Sequence, residues 1–404
     1  MDFLTAAAEG TRTAAGFFWK AGWAFVLGYS ISGMIQAFVP KNRMTRHMGN
    51  ASARSVSLAT LFGAASSSCS FAALAAARSL VMKGAHFVAA IAFMFASTNL
   101  VIELGVLILI FLGWQFLAAE LIGGILLITI SSVLVRATYP RAWMEAARQK
   151  VEDDAEAEEG DFDWRERIRS RYGWRLVGHR FVMDWKMVWE EILIGFTIAG
   201  FVGVLVPASF WEALFLMNAG DSIPQWLIVL ENAVVAPFVA AATFIGSMGN
   251  IPLATVLNAN GVMFAGLMGF IYSDLMVPPL VAINAKYYGP RVALYIAGIM
   301  WVSIVITAIL LHALFAVTGL TPDSSRAVSE TTRFALDYTF WLNLAMVLVA
   351  VVMVWLHRRH VAEDLDGKGG GHGGGVGTKR LVVYGMMIVL ATGGVVWALG
   401  HGTV

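Results

Sequence analysis

Three acidic residues, Glu103, Glu231 and Asp274, lie inside long apolar stretches of this sequence. Glu103 follows Asn99 by one helical turn, and Glu231 directly precedes Asn232, so two of the acids have an amide neighbour. If these stretches lie in a lipid bilayer, each charge costs about 2.5–3.5 kcal/mol on insertion scales. A carboxyl group at that depth can bind and release a proton or a cation. These five residues are therefore candidates for a substrate or ion pathway.

A structural role is the alternative for the same acidic residues. Glu103 could pair with Asn99 or with a lysine inside a helix bundle, and Asp274 could cap a helix that two following prolines end. We expect two other charged residues, Glu120 and Lys20, to lie near the membrane interface, where long side chains reach water.

Two further stretches combine small, polar and helix-breaking residues. Residues 55–82 are interrupted by the string GAASSSCS, and residues 225–260 by IGSMGNIP, in which Pro252 lacks a backbone donor. A broken helix leaves N–H and C=O groups free to hold an ion or a polar solute. The leading pathway residues are Ser66, Ser67, Ser68, Cys69, Ser70, Ser247, Met248, Gly249 and Asn250. Small residues that allow close helix packing are the alternative interpretation.

The composition predicts an integral membrane protein. Of the 404 residues, 58% are hydrophobic and 14% are charged, whereas a soluble domain carries about 25% charged residues. Segments long and apolar enough to cross a bilayer are residues 17–39, 85–112, 114–136, 187–207, 262–285, 291–318, 335–357 and 381–399. The net charge of +1 gives no sign of a nucleic-acid partner. The single cysteine, Cys69, excludes an internal disulfide and a site of several thiolates, and we expect neither a resident metal nor a cofactor.

Internal similarity predicts a duplicated architecture. The string GYSISG recurs as GFTIAG, each at the same distance before a proline, Pro40 or Pro207. Further matches at one constant offset pair Cys69-Ser70 with Gly246-Ser247, Gly84 with Gly261, and residues 92–96 with 269–273. Each half then contains a span, a re-entrant broken hairpin and two more spans, so that three crossings invert the second copy. Inverted repeats with broken segments at matching positions are typical of secondary transporters.

Positive charge predicts which loops face the cytoplasm. Lysine and arginine are frequent around residues 137–186 and absent from 208–224, which places the first loop inside and the second outside. The predicted fold is an all-α polytopic protein of the cytoplasmic membrane. Its parts are a first membrane repeat (1–136), a charged cytoplasmic loop (137–186), a second membrane repeat (187–320) and two C-terminal spans (321–404) with a glycine-rich linker (364–378).

At these motifs the sequence resembles a known family. In the first half the strings are SSSCS, KGAHF, AFMFASTNLVIELG and LGWQFLAAELIGG; in the second they are IGSMGNIPLA, NGVMFAGLMGFIYSDLMVPP and KYYGPRVALY. They are similar to the two signatures of the predicted permease family that includes organoarsenical efflux permeases, and the resemblance covers about residues 15–320. It implies a cytoplasmic-membrane permease that moves a small solute outward.

One departure from the family pattern bears on the substrate. Family members typically carry cysteines around both broken motifs, whereas this chain keeps Cys69 and has Gly246 and Met248 in the second motif. Capture of a trivalent arsenical by a cysteine pair is therefore unsupported. Efflux of a heavy metal, a metalloid or an organoarsenical with reduced dependence on cysteine stays an alternative.

The sequence favours a secondary active transporter of a small solute or ion, coupled most simply to protons. An ion or solute channel is the second class, because it would share the broken hairpins without needing buried carboxyl groups. An enzyme is disfavoured, since no phosphate-binding loop, Gly-x-Ser-x-Gly elbow or His-Glu-x-x-His motif occurs. The expected partners are the substrate and the lipid bilayer, and a homo-oligomer is compatible with them.

Overall fold

The computed structural model describes residues 3–38, 48–66, 70–82, 84–138, 164–220, 222–322, 328–364 and 378–401. All regular secondary structure in these residues is helical. In the first half the helices are α1 (Phe3–Phe38), α2 (Ala53–Ser66), α3 (Ser70–Met82), α4 (Phe87–Asn99), α5 (Ile102–Phe111) and α6 (Trp114–Thr138).

The second half repeats this order of helices. After the short α7 (Trp164–Arg169) come α8 (Arg171–Leu205), α9 (Ala208–Leu214), a 3₁₀ turn (Met217–Ala219), α10 (Gln225–Thr243), α11 (Ser247–Ala259), α12 (Phe264–Ile271), a 3₁₀ segment (Tyr272–Met276), α13 (Pro278–Tyr288) and α14 (Pro290–Thr318). The C-terminal part contains α15 (Val328–Thr331), α16 (Tyr338–Asp364) and α17 (Thr378–His401). The domain boundaries that we inferred from the sequence stay predictions.

Several helices are long and apolar enough to cross a membrane, which confirms the predicted all-α membrane architecture. In the described part of the chain these are α6, α8, α10, α14 and α16, and two bent pairs raise the number to seven. Helix α1 covers residues 17–38 of the predicted span 17–39 but is not in this set, because polar residues such as Gln36 lower its hydropathy. The apolar part of α17, Val382–Ala398, is shorter than these spans.

Two segments that we predicted as simple spans, 85–112 and 262–285, are bent. Helices α4 and α5 meet at 41°, as do the 264–276 segment and α13. In the second half the cause is a pair of prolines: Val277 is extended (φ −60°, ψ 138°), as a residue before proline prefers to be, and α13 begins at Pro278. In the first half the break lies at Leu100 and Val101, where no proline marks it.

The break in the second hairpin differs in place from our prediction. The chain leaves helical geometry at Phe244 (φ 56°), and α11 starts at Ser247 and continues through Pro252. Pro252 is the sixth residue of α11 and thus lies just beyond the first turn, where a proline would remove no hydrogen bond. Pro252 removes only the bond to the Met248 carbonyl. Helix α10 alone is also long enough to cross a membrane, which distinguishes this hairpin from the shorter first one.

Glycines with a positive φ lie at corresponding points in the two halves. Gly84 (φ 87°) and Gly261 (φ 85°) both lie between a hairpin and the helix after it. Gly113 (φ 103°) and Gly289 (φ 88°) both lie before the last long helix of their half. A positive φ favours glycine, so the same turns recur at corresponding points.

The two first helices of the halves form the centre of the molecule. Helices α1 and α8 pack against each other, and their aromatic side chains interlock: Phe196 lies 6.2 Å from Phe17 and 5.8 Å from Phe25, measured between ring centroids. Helix α11 packs on α8, α5 packs on α1, and α16 and α17 cover other faces of the pair. This central pair therefore supports the second hairpin from one side.

Candidate substrate and ion site

The two broken hairpins meet at a point where three oxygen atoms lie within hydrogen-bonding distance of one another. Ser70 Oγ and Ser247 Oγ are 2.8 Å apart. Both hydroxyl groups also contact Asp274 Oδ2, at 3.0 Å from Ser70 and 2.6 Å from Ser247. All three side chains are buried. The structure thus brings together three of the residues that the sequence suggested independently.

The N-terminal ends of two half-helices position the two serines. Ser70 is the first residue of α3 and Ser247 the first residue of α11. They are 177 residues apart, which is the offset at which the two halves match in sequence. Asp274 lies in the 3₁₀ segment at the bend of the second half. The free N–H groups at a helix start carry a partial positive charge of roughly half an elementary charge, so both helix ends favour a carboxylate here.

A count of hydrogen atoms limits how the three contacts can be filled. Each serine hydroxyl has one proton to donate, so the two hydroxyls fill at most two contacts when Asp274 is ionised. A proton on the Asp274 carboxyl would fill the third contact. The cluster of Ser70, Ser247 and Asp274 can therefore accept one more proton without a change in its heavy-atom positions.

Asn250 adds an amide to the same half-helix. It follows Ser247 by three residues, is 0% exposed, and neither Oδ1 nor Nδ2 has a hydrogen-bond partner in the described part of the chain. A buried polar group left without a partner costs roughly 1–3 kcal/mol, so this amide is available to a bound polar solute. Met248 and Gly249 are buried as well, and Gly249 lies against Gly195 of α8.

Asn99 and Glu103 do not share a helical face, contrary to our prediction. Asn99 is the last residue of α4, Glu103 lies in the first turn of α5, and Val101 between them is extended. The Asn99 side chain donates to the Phe95 carbonyl at 3.1 Å, which satisfies a backbone acceptor at the helix end. Both residues are buried, and Glu103 packs against Gly28 of α1. The break in the helix thus separates the two side chains that a continuous helix would have brought together.

Glu231 and Asn232 form a separate polar group in α10. Asn232 Nδ2 lies within hydrogen-bonding distance of three acceptors, the carbonyls of Phe215 at 2.8 Å and Ile228 at 2.9 Å and Glu231 Oε2 at 2.9 Å, and its two hydrogens can fill two of them at a time. Asn232 is fully buried, whereas Glu231 is partly exposed. These bonds join α10 to the chain after α9, and they support the structural interpretation of this pair.

Three predicted residues, Ser67, Ser68 and Cys69, lie outside the described residues. They connect Ser66, the last residue of α2, to Ser70. Ser66 donates to the Gly63 carbonyl at 2.9 Å within its own helix. A pathway role for the three central residues stays a prediction.

Glu120 is buried in α6, although we predicted an interfacial position. It is 1% exposed because α4 and α14 pack against α6, and position along the helix alone could not show this. The signal that could have indicated burial is Gly123-Gly124, one turn later, since small residues allow neighbouring helices to approach. Lys20 is partly buried and forms an ion pair of 2.8 Å with Asp337.

Similarity to known proteins covers the part of the chain that contains this site. The family described as "Predicted permease" matches residues 7–313. The chain belongs to this family. A relative from Mycobacterium tuberculosis, named "Putative permease Rv2963", is 38% identical over 329 residues, which are 78% of this chain and 79% of the relative. "UPF0718 protein YraQ" from Escherichia coli is 26% identical over 288 residues, 70% of this chain and 73% of that protein. No solved structure matches significantly.

The family match confirms a multi-pass membrane permease, as the sequence motifs implied. The matched residues include both hairpins, the Ser70–Ser247–Asp274 cluster and most of α14. Helices α16 and α17 lie beyond them. The candidate site therefore lies wholly inside the range that the family match covers.

Proposed function

We propose that this permease is a secondary active transporter built from an inverted repeat. In it the two hairpins, α2–α3 and α10–α11, enter the membrane from opposite sides and hold the substrate pathway between them. The observation that carries the proposal is the 2.8 Å contact of Ser70 with Ser247 beside Asp274. Matching half-helix ends that meet at a buried carboxyl group are the arrangement expected where substrate and coupling ion bind between repeats.

A proton is the coupling ion that this arrangement supports best. The oxygen triangle has room for one proton more than the serines supply, and Asp274 is the acidic member. A metal cation in the plane of three oxygens about 2.8 Å apart would be closer to each than ordinary Na⁺ or Ca²⁺ ligand distances of about 2.3–2.6 Å. Proton entry from one side and release to the other would drive a small solute outward across the cytoplasmic membrane.

A soft metal, a metalloid or an organoarsenical is a second candidate substrate. Sulfur atoms flank both serines in sequence: Cys69 precedes Ser70, and Met248 follows Ser247. Thiolate and thioether groups favour soft metals. We expect Cys69→Ser to keep most transport and Cys69→Trp to abolish it, if Cys69 lines the pathway. Loss of all transport in normally expressed Cys69→Ser would instead make thiol chemistry central.

Sidedness tests the inverted repeat directly. Single cysteines at Ser170 and Ser222, in a Cys69→Ser background, should react oppositely with a membrane-impermeant thiol reagent, because we place residues 137–186 inside and 208–224 outside. The test matters because α10 alone is long enough to cross the membrane. Equal labelling from outside would overturn the inverted topology.

Counterflow separates a transporter from a channel. Proteoliposomes loaded with unlabelled substrate should accumulate labelled substrate transiently if one site alternates between the two sides. A channel would only equilibrate the label. The substrate itself can be sought first by growth of a deletion strain on metalloids, metals and small anions.

A further inference from the structure

A second buried carboxyl group belongs to the first half of the permease. Glu120 in α6 is 1% exposed, and neither Oε1 nor Oε2 has a hydrogen-bond partner among the described residues. Asp274, in contrast, accepts hydrogen bonds from two serines. The two acids therefore differ in their side-chain hydrogen bonds.

Tyr272 joins the segment that carries Asp274 to the helix that carries Glu120. It lies two residues before Asp274, and its hydroxyl is shared between the carbonyls of Ala119, at 3.0 Å, and Glu120, at 3.3 Å. A Cβ atom on Gly123, one turn further along α6, would overlap this hydroxyl. The 3₁₀ segment that carries Asp274 is thus fixed to the turn of α6 that carries Glu120.

Among the described residues, Asp274 is the charged group that acts on the Glu120 carboxyl, and no basic side chain offsets it; the Tyr272 hydroxyl is the polar group that favours its charged form. Helices α4, α5 and α14 pack against α6. Helix α4 has no titratable side chain and α5 has Glu103, which packs against α1. The titratable residues of α14 are Arg291, Tyr295 and His312.

The free-energy cost of a buried negative charge bears on whether the Glu120 carboxyl is protonated. A carboxylate removed from water costs several kcal/mol even after the protein relaxes, unless a cation or donors compensate it. A negative charge on the nearby Asp274 would add to that cost. The neutral acid avoids both penalties.

We propose that Glu120 is a second proton-binding group of this permease, loaded here and released when the 3₁₀ segment around Asp274 moves away from α6. The proposal deepens the proposed function and rests on it, because only alternating access gives such a group water on each side in turn. Binding converts the carboxylate to the acid, and the proton is taken from and returned to water, so the step needs no other reactant. The Tyr272 contacts link its release to the position of Asp274.

Infrared spectroscopy tests the bound proton without requiring transport. In proteoliposomes, the C=O band of protonated carboxylic acids should lose one component in Glu120→Gln and keep that component in Asp274→Asn. The matched control is Glu212→Gln, which changes a partly exposed glutamate that accepts a hydrogen bond from Asn218. We expect the control spectrum to retain the component. A spectrum of Glu120→Gln identical to that of the unmodified protein would overturn the proposal.

Transport assays test the release of the proton. Glu120→Gln should lose uphill transport and keep substrate exchange, and Glu120→Asp, which restores a titratable group, should recover part of the uphill transport with a shifted pH profile. If Glu120→Gln retains uphill transport with an unchanged pH profile, Glu120 is a neutral packing residue and the proposal is wrong. Failure of the proposed function would look different, since unmodified protein would then show no counterflow while the infrared component remained.

Discussion

The two halves of the permease share an order of helices and differ in the side chains at matching positions. Both contain a broken hairpin and a pair of helical segments bent by 41°. At matching sequence positions, however, the second half has Asp274 where the first has Ser97, and Asn250 where the first has Ala73. Ser97 donates to the Met94 carbonyl of its own helix, whereas Asp274 accepts hydrogen bonds from both hairpins. The order of helices is common to both halves, whereas Asp274 and Asn250 belong to the second half alone.

Glu120 is an acid of the first half that has no acidic counterpart in the second half. With Gly113 matched to Gly289, Glu120 corresponds to Ile296 in α14. The first half therefore contributes a buried acid, Glu120, that the second half lacks, and the second half contributes Asp274. The backbone turns and bends at matching points in the two halves, whereas the buried acids lie at points that do not match.

Replacement of Asp274 should cause the largest loss of transport and should show most clearly that the two halves differ. Asp274→Asn keeps the shape but cannot exchange a proton, so we expect loss of uphill transport and retention of substrate exchange in proteoliposomes. Glu103→Gln is the matched change in the first half. The sequence gives Glu103 the same role, but its packing against Gly28 of α1 favours a smaller loss.

Two outcomes would contradict the expectation that Asp274→Asn loses more transport than Glu103→Gln. Equal loss in both variants would restore the symmetric pair of coupling acids that the sequence suggests. Uphill transport with an unchanged pH profile in both would leave Asp274 and Glu103 as packing groups, and the coupling site would then be sought at Glu231.

The serine pair allows a sharper test of the point where the halves meet. Ser70→Ala and Ser247→Ala each remove a hydrogen bond to Asp274, and bonds to charged groups contribute about 1.5–3 kcal/mol. We expect each variant to lower the initial transport rate about tenfold, which corresponds to ~1.4 kcal/mol. The double variant should lose less than the sum, because both serines contact one oxygen.

Ser273→Ala is the matched control for the serine pair. Ser273 is buried next to Asp274, but its hydroxyl donates to the Gly269 carbonyl in the preceding α12. We expect a transport rate close to that of the unmodified protein. Additive losses at Ser70 and Ser247, or an equal loss at Ser273, would show that the serines do not act as one cluster.

The meeting of Ser70 and Ser247 could be anticipated from sequence, because the two serines match across the repeat and follow small-residue strings. Asp274 could be found as a charge in an apolar segment. The bend after Asn99 could not, since the string STNLVIE contains neither proline nor glycine and the break depends on φ and ψ at Val101. The burial of Glu120 depends on α14 and Tyr272, which are distant in sequence.

Gly28 and Gly195 lie at matching positions, and replacing each with alanine should destabilise the permease to a different degree. A Cβ on Gly28 would overlap the Glu103 side chain, and one on Gly195 would overlap the backbone of Gly249. We expect Gly28→Ala to lower the free energy of unfolding by about 1–3 kcal/mol and Gly195→Ala to lower it more, because backbone yields less than a side chain. Thermal unfolding in detergent measures both.

An exposed glycine provides the control for these substitutions. Gly298 in α14 has no atom within 4 Å of an added Cβ, so Gly298→Ala should leave the permease as stable or stabilise it by about 0.5–1 kcal/mol. If Gly28→Ala is as well tolerated as Gly298→Ala, Glu103 has room to move and is less firmly held than its packing suggests.

The smallest expected effect concerns the C-terminal helices, which have no counterpart in the repeat. Lys20 of α1 lies 2.8 Å from Asp337, just before α16, and its hydrogen bond lowers the pKa of the Asp337 carboxyl. A lowered folded-state pKa means that the stabilisation is present above the unfolded pKa of about 3.9 and is lost as the pH falls further. Because the pair is partly exposed, Lys20→Met should cost less than about 1 kcal/mol at neutral pH and nothing in acid. Asp337→Asn should cause the same loss, and the double variant no more than either alone. A loss for Lys20→Met that persists at low pH would show that the lysine stem stabilises α1 by packing rather than by its charge.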